Sequence, residues 1–356
     1  MMSRYSMGML VAALILGSGA ARADAVADFY KGKQVQMIIR SAPGGSYDQY
    51  GRLVGRHIGR HIPGNPLILP VNMPGGGGIT AANYVANIAP KDGSVLTMVG
   101  QGLATDQALG LNNSLKFDLR DFNWIGNISN ANQALWVWHT SKTKDLKDAM
   151  TRATVIGTTG AGSIAVFLPA VYNNVVGTRL KLIFGYIAGS AVDLAMERGE
   201  VEGRGSETLA SYRAAKPHFL RDKLIIPIIQ TGLTKDPGID APLLRDLAKT
   251  PEEKQIFDFM SKAVSVGRPF ATSPGVPADR VAALRKAFDD MLKDPAFIAE
   301  AEREQAEIAP MNGAELAQVV KELIEAPADI RAKVKAAIEL KKEDGKEIVG
   351  DRAVAQ

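Results

Sequence analysis

The sequence predicts an α/β fold of two domains, each with a mostly parallel sheet. Short apolar runs alternate with segments of helical periodicity, and this alternation is typical of parallel strands joined by right-handed helical crossovers. Three of these runs are followed by glycine-rich turns that precede a helical segment. A chain of 356 residues is long for one domain and comfortable for two.

Apolar periodicity predicts the elements of the first half in order. Residues 35–39 form an apolar run that predicts a strand. Residues 47–62 place apolar side chains on one helical face, and the proline-containing turn 63–66 ends that helix. A strand, a helix and a strand follow, predicted at 67–71, 79–88 and 95–99.

A second block repeats this order. Apolar runs at 134–138 and 154–156 predict strands, and a helix at about 164–175 follows the next glycine-rich turn. The remaining elements of the block are strands near 180–184, 201 and 224–229 and a helix at 191–198.

From Val264 the chain predicts one more strand and then amphipathic helices that we expect to pack on the first block. These helices are predicted at 278–293, 296–304, 313–325 and 328–342. The predicted division is 27–129 with 262–340 as domain 1, 130–261 as domain 2 and 343–356 as a frayed tail.

The N-terminal segment predicts export. Arg4 gives a positive start, residues 8–16 form a short apolar core, and Ala21-Arg22-Ala23 matches a cleavage site. We therefore expect a signal peptide over 1–23, cleavage after Ala23 and a periplasmic protein. The apolar core is shorter than the roughly 20 residues of a membrane span, and charged residues, Gly or Pro interrupt every later apolar segment.

Composition and charge exclude several functional classes. The net charge of +4 falls to +2 once Arg4 and Arg22 leave with the signal peptide, and the remaining charges form no basic block. This pattern argues against nucleic-acid partners. The chain has no cysteine, which excludes cysteine nucleophiles and thiolate metal sites.

The three glycine-rich turns predict anion binding. Glycine lets backbone N–H groups approach a ligand closely, and a helix that starts after the turn adds unpaired N–H groups and the positive end of its dipole. Such a turn forms an uncharged site for an anion. A structural role in chain reversal explains one such turn better than three that all follow strands. The turns lie at 42–48, 73–78 and 158–163.

Two cofactor motifs are incomplete. Residues 160–165 match the G-x-G-x-x-A dinucleotide fingerprint, but no carboxylate precedes Asp193 where the fingerprint needs one about 20 residues on. His57 and His61 have the spacing of a zinc protease, but Ile58 stands where that motif has glutamate. We therefore predict no cofactor and no metal.

Serine hydrolysis is not predicted either. Asp48 takes the place of the second glycine of a G-x-S-x-G motif around Ser46, and Ala161 breaks the same motif at Ser163. No turn carries the lysine of a phosphate-binding P-loop. We predict a binding protein that is not an enzyme, and an exported hydrolase-like enzyme is the alternative.

Two further polar positions allow a structural and a functional interpretation. Asp48 could cap the helix after the first turn or face the ligand. Arg204 could be solvated or could pair with a ligand carboxylate.

The order and spacing of the motifs resemble the Bug-type, TctC-like extracytoplasmic receptors of tripartite tricarboxylate transporters. The motifs that carry the resemblance are APGGSYD at 42–48, NMPGGGG at 72–78, GAGS at 160–163 and YIAGS at 186–190. The resemblance covers roughly 27–330. It implies a type II-like periplasmic binding protein with two domains that crossing strands join and that close like a flytrap. It also implies an organic carboxylate or dicarboxylate as the ligand, delivery to an ion-gradient-driven membrane pair, and a monomer.

The resemblance assigns a candidate ligand site. The turns at 42–48 and 73–78 would form a paired carboxylate clamp on one domain, and the turn at 158–163 would face them from the other. The predicted ligand-binding residues are Gly44, Gly45, Ser46, Tyr47, Asp48, Gly76, Gly77, Gly78, Thr158, Thr159, Gly162, Ser163, Tyr186, Glu202 and Arg204.

The chain departs from the family pattern after its domain-two serine. Family members often have a histidine there, whereas Ala165, Val166 and Phe167 occupy the stretch in this chain. Glu202 stands for a family aspartate, and Tyr47 is bulkier than the usual residue. We expect a ligand with one anchored carboxylate and a less polar tail. A receptor that signals to a membrane sensor kinase is a further alternative.

Overall fold

The computed structural model describes residues 25–160 and 162–340. The predicted signal peptide at 1–23 and the predicted tail at 343–356 lie outside the described residues. Two mixed sheets flanked by helices make up the fold, which confirms the predicted α/β architecture. Over the described ranges, no helix combines the length and the apolar character that a membrane crossing requires.

The first sheet has the strand order β11-β4-β10-β3-β1-β2. Its parallel pairs are β1 with β2 and β1 with β3, and its antiparallel pairs involve β10 and β11. The strands are β1 (Gln34–Ile39), β2 (Leu67–Asn72), β3 (Val95–Met98), β4 (Asn123–Asn127), β10 (Pro269–Thr272) and β11 (Met311–Asn312).

The second sheet has the strand order β7-β6-β8-β5-β9. Strand β6 is parallel to β7 and β8, while β5 is antiparallel to β8 and β9. The strands are β5 (Gln133–Trp138), β6 (Thr154–Gly157), β7 (Leu180–Ile183), β8 (Gly203–Thr208) and β9 (Ile225–Thr231).

Helices follow most strands, as the alternation of patterns predicts. In the first half they are α1 (Ser46–Ile58), α2 (Ile79–Asn87) and α3 (Leu103–Leu109). In the second block they are α4 (Leu146–Thr151), α5 (Ile164–Val171), α6 (Gly189–Glu197), α7 (Leu209–Ala215), α8 (Pro217–Arg221) and α9 (Pro251–Ser265). The C-terminal helices are α10 (Ala278–Met291), α11 (Pro295–Arg303), α12 (Gly313–Ile324) and α13 (Ala328–Ala337).

The C-terminal helices cover the first sheet. Helix α12 packs on β4 and α3, and α10 packs on β4. Phe288 of α10 is fully buried with Phe270 of β10, at a ring separation of 5.7 Å. The predicted packing of these helices on the first block is therefore correct.

The strand predicted from Val264 begins five residues later, at Pro269. Residues 251–265 form α9, and Val264 lies on its buried face. A capping box between Thr250 and Glu253, with Pro251 at the first helical position, fixes the start of this helix. The return to the first sheet is made instead by β10, four residues after α9 ends.

Two segments that cross between the sheets are bonded to each other. The backbone N–H of Arg268 donates to Ser129 O at 3.0 Å, and that of Ile128 donates to Arg268 O at 3.3 Å. The predicted division at 129/130 falls in the first crossing. The division at 261/262 falls inside α9, so we propose residues 266–268 as the second crossing.

Candidate functional site

The cleft between the two sheets contains a small, partly open cavity of about 60 Å³. It lies at the carboxyl ends of β1, β6 and β8, where open α/β sheets bind ligands. The first residues of α1, α5 and α6 also line it. Three helix N-termini therefore direct the positive ends of their dipoles into one space.

About half of the predicted site residues line this cavity. Those on the wall are Gly45, Ser46, Tyr47, Thr158, Thr159, Ser163 and Arg204. Those behind or beyond the wall are Gly44, Asp48, Gly76, Gly77, Gly78, Gly162, Tyr186 and Glu202. Contact with a ligand stays a prediction for all of them.

Asp48 braces the first turn. Its carboxylate accepts hydrogen bonds from Gly44 N at 3.0 Å, Asn72 Nδ2 at 2.8 Å and Arg52 Nε at 2.9 Å. The N-cap of α1 is Gly45, and no side chain caps that helix. Asp48 therefore ties the first turn to the end of β2, and its carboxylate neither caps α1 at the N-cap nor reaches the cavity wall.

The second and third turns touch each other across the cleft. A Cβ atom on Gly160 would overlap the backbone nitrogen of Gly77, and one on Gly77 would lie 2.9 Å from Gly162 C. A Cβ atom on Gly102 would lie 2.5 Å from Gly162 O. The glycines at these positions allow backbone to pack on backbone between the two halves, so the described conformation is closed.

Glu202 lies outside the cavity, on the sequence that leads into β8. Its carboxylate accepts bonds from Ser141 Oγ at 2.9 Å, Arg152 Nη1 at 3.0 Å and Val155 N at 3.1 Å. Burial opposes its charge, but these hydrogen bonds and Arg152 lower the pKa of Glu202 below its usual value. The residue stabilises the second sheet on the side away from the cavity.

Arg204 belongs to a balanced group of four buried charges, which we call the charge quartet: Arg204, Asp193, Glu207 and Arg268. The Nη1 atom of Arg204 donates to both oxygens of Asp193 at 2.9 Å, and its Nη2 atom donates to Glu207. Arg268 Nη2 lies 3.3 Å from Glu207 Oε1. The charges of two cations and two anions sum to zero, so the charge of Arg204 is already neutralised where it lines the cavity.

Burial and ion pairing act in opposite directions on the quartet. Burial raises the pKa of Asp193, and Arg204 only partly offsets that effect. For Glu207, burial is outweighed by Arg204 and Arg268, which lower its pKa. Gly189 provides the space for this arrangement, because a Cβ atom there would overlap the guanidinium of Arg204.

Arg40 is the cavity cation that lies outside the quartet. It follows β1 directly, and no ion pair joins it to a carboxylate over residues 25–160 and 162–340. Its guanidinium stacks on the Tyr47 ring, 4.3 Å from the ring centroid. Burial lowers the pKa of Arg40, and the nearby charge of Arg268 lowers it further.

The unsatisfied side-chain atoms on the cavity wall are hydrogen-bond donors. Arg40 Nε, Arg268 Nε and Gln133 Nε2 are buried without a hydrogen-bond partner. The acceptor of the Gln133 amide is already used, since Ser206 Oγ donates to its Oε1 at 2.5 Å. Buried donors without partners are costly, so this wall is complementary to a ligand rich in acceptors.

Arg40, Gln101, Gln133 and Arg268 were absent from the predicted site. Arg40 directly follows the strand predicted at 35–39, and Gln101 lies two residues after the strand predicted at 95–99. The rule that ligands bind at the carboxyl ends of strands could have found both. Gln133 is the first residue of β5, next to the first crossing. Arg268 directly precedes β10 and belongs to the second crossing. Their position depends on how the chain returns between sheets, which periodicity does not reveal.

Asp106 is a second buried charge close to the cleft, beneath the third turn. It is 1% exposed, its Oδ1 atom has no hydrogen-bond partner, and a Cβ atom on Gly162 would lie 3.0 Å from its Oδ2. Burial raises the pKa of Asp106 to about 6. Because the folded protein then binds a proton more tightly than the unfolded chain, this group costs stability as pH rises from about 4 to about 6.

We therefore expect Asp106→Asn to be more stable than the original protein at pH 7.5 by about 1 kcal/mol, after allowance for solvent screening. At pH 4 the two proteins should unfold at similar urea concentrations, because Asp106 is then neutral. Urea titrations at both pH values measure the difference. An equal gain at pH 4 and pH 7.5 would show that the ionisation of Asp106 is not its source.

Residues 25–160 and 162–340 contain no group of three or more His, Asp or Glu side chains placed to hold a metal ion. None of the chain's four histidines lines the cavity.

One curated relative matches part of the chain, while no protein-family model matches it. The UPF0065 protein in the TAR-I ttuE-ttuC' intergenic region of Agrobacterium vitis is 26% identical over 228 residues. The match spans 59% of this chain and 64% of the length of that relative. UPF0065 is the Bug family.

Solved structures match almost the whole described chain. Periplasmic binding protein BugD has a TM-score of 0.68 at 18% identity, over 86% of this chain and 98% of BugD. Rpa4515 of R. palustris with adipate has a TM-score of 0.67 at 19% identity, over 85% and 97%. MatC of Rhodopseudomonas palustris with bound malate has a TM-score of 0.66 at 19% identity, over 86% and 99%.

These similarities confirm, at the level of the fold, the resemblance that the glycine-rich motifs predict. A TctC solute-binding protein from Polaromonas also matches, with a TM-score of 0.56 at 18% identity, over 87% of this chain and 99% of that protein. The chain has the two-domain fold of the Bug- and TctC-type periplasmic binding proteins.

Proposed function

We propose that this protein is a periplasmic receptor that binds an organic carboxylate in the cleft between its two sheets. The observation that carries the proposal is the set of three buried, unpaired donors on the cavity wall, on Arg40, Gln133 and Arg268. A carboxylate offers acceptors to such donors and a negative charge to Arg40.

Two similar structures support the ligand class. Rpa4515 is described with adipate and MatC with malate, and both ligands are carboxylates. The three helix N-termini at the cavity would stabilise such an anion without a compensating proton or metal. The binding energy would favour the closed form, in which the second and third turns touch.

The proposal includes export and delivery. The sequence Ala21-Arg22-Ala23 would be cut after Ala23, and the loaded receptor would pass its ligand to membrane subunits of a tripartite tricarboxylate transporter. Mass spectrometry of the protein purified from the periplasm tests the cleavage. We expect the mass of a chain that begins at Asp24. Signalling to a sensor kinase is the alternative output, and membrane transporter genes beside this gene would favour transport.

A ligand screen tests the binding function. We expect at least one organic carboxylate to raise the melting temperature of the purified, ligand-free protein, by several degrees at 1,000-fold excess over a micromolar Kd (about 4 kcal/mol). Neutral amides of the same acids serve as controls and should have no effect. If no organic anion stabilises the protein, the receptor function is wrong.

A further inference from the structure

We propose that the ligand carries a single negative charge, and that Arg40 is the residue that selects it. The inference rests on the proposed receptor function and narrows its ligand class to small monocarboxylates. The carboxylate would meet the Arg40 guanidinium, and an uncharged tail would lie toward the second sheet.

The first step is the charge of the cavity wall. Its charged residues are Arg40, Arg204, Glu207 and Arg268. The last three belong to the charge quartet, whose fourth member, Asp193, lies behind the wall and makes the quartet neutral. One positive charge therefore remains for a ligand in the closed cleft. A second carboxylate would be enclosed without a counter-ion, which is costly in a space with little water.

The second step is how Arg40 is held in place. Its side chain passes between two glycines, since a Cβ atom on Gly78 would lie 3.1 Å from Arg40 Cδ and one on Gly100 would lie 3.3 Å from its Nη1. The Tyr47 ring supports the guanidinium from one face. The hydroxyl of Tyr47 is fixed in turn, because it accepts a hydrogen bond from Gln101 N at 3.0 Å. This support makes Arg40 a pre-oriented anchor for one carboxylate.

The third step is the rest of the wall. The half built on the second sheet contributes the apolar Ile164, Ala165, Ala188 and Val192, together with the uncharged polar side chains of Thr158, Thr159 and Ser163. A cavity of about 60 Å³ is smaller than the roughly 150 Å³ that encloses a benzene molecule in a protein core. The tail in the closed form is therefore short and uncharged.

The test compares acids with equal numbers of carbon atoms. Calorimetric titrations of the purified protein would use butyrate against succinate and hexanoate against adipate. We expect the monocarboxylate to bind at least about tenfold more tightly in each pair, and butyrate more tightly than hexanoate. If a dicarboxylate binds more tightly in either pair, the single-charge inference is wrong while the receptor function stands. If no carboxylate binds, both are wrong.

Variants of Arg40 test its role separately. Arg40→Gln should weaken butyrate binding by about 100-fold and should bind butyramide as well as butyrate. Arg40→Lys keeps the charge and should retain part of the affinity. The matched control is Arg120→Gln, which removes an exposed arginine that pairs with Asp118, and it should leave binding unchanged.

The stability of the ligand-free variant separates binding from folding. Arg40→Gln removes a cation without an ion-pair partner, so its melting temperature should equal or exceed that of the original protein. A lower melting temperature together with unchanged butyrate affinity would show that Arg40 is structural, and it would overturn its role as anchor.

Discussion

Replacing Arg204 by methionine is expected to lower the free energy of unfolding by about 3–5 kcal/mol, because two buried carboxylates lose their shared cation. Asp193 and Glu207 are 5% and 3% exposed, so water does little to stabilise their charges in the closed cleft. Without Arg204, the Asp193 carboxylate would keep one partner among the described residues, the hydroxyl of Tyr212 at 3.2 Å from its Oδ1. Urea denaturation followed by tryptophan fluorescence measures the loss.

Trp136 places one of the chain's three tryptophans beside the quartet. Its indole nitrogen donates to Glu207 O at 2.8 Å, and its ring packs edge-on against Tyr212 at 5.4 Å. Arg204→Lys, which keeps the charge but cannot reproduce the forked contacts, should lose less stability than Arg204→Met. We expect the deficit of Arg204→Met to be smaller at pH 5 than at pH 8, because the unpaired carboxylates can then take up protons. An unchanged urea midpoint at pH 8 would mean that the quartet does not depend on Arg204.

Replacing Gly160 by alanine is expected to prevent full closure of the cleft and to weaken ligand binding by about 100-fold. The new methyl group would overlap the backbone nitrogen of Gly77 and would lie 3.0 Å from Gly76 C. Backbone atoms cannot turn aside as a flexible side chain can, so the two halves must separate. Each half keeps a buried cluster of its own beside the core cluster that both halves share, and we expect only a small loss of melting temperature without ligand.

The distance between the halves can be measured with spin labels. The chain has no cysteine, so Lys147→Cys and Lys286→Cys would place one label on each half without background labelling. The matched control is Gly55→Ala in α1, where the new Cβ atom would lie 3.4 Å from Ile68 Cγ2, an ordinary contact. This control should keep its affinity and gain about 0.5–1 kcal/mol in stability. Gly160→Ala with the original affinity and label distance would contradict the role of this contact in closure.

The sequence predicted the fold class because the α/β alternation depends on local patterns, although α3, β4 and α9 were not predicted. The run 35–39 and the turn after it predict β1 and the start of α1, since periodicity and glycine placement act over a few residues. The prediction placed the start of the last strand too early, at Val264, which lies in α9. The capping box at Thr250 and the burial of one face in the tertiary structure favour α9 instead.

The candidate site was only partly predictable, for a physical reason that the second turn illustrates. A glycine-rich turn indicates that something approaches the backbone closely, but it does not say what. At Gly77 the approaching group is the backbone of the third turn, and at Gly78 it is the side chain of Arg40. Arg268 was missed because its partners, Ser46 and Glu207, are 222 and 61 residues away in the chain.

The contact between Gly77 and Gly160 also sets a size threshold for the ligand. Two backbones that meet without side chains form a rigid stop, so the fully shut state has one fixed geometry instead of adapting to each occupant. A molecule one methylene too long would keep the two glycines apart and leave the cleft partly open. A membrane partner that engages only the shut form would then discriminate between ligands by length, even where their affinities for the receptor are similar.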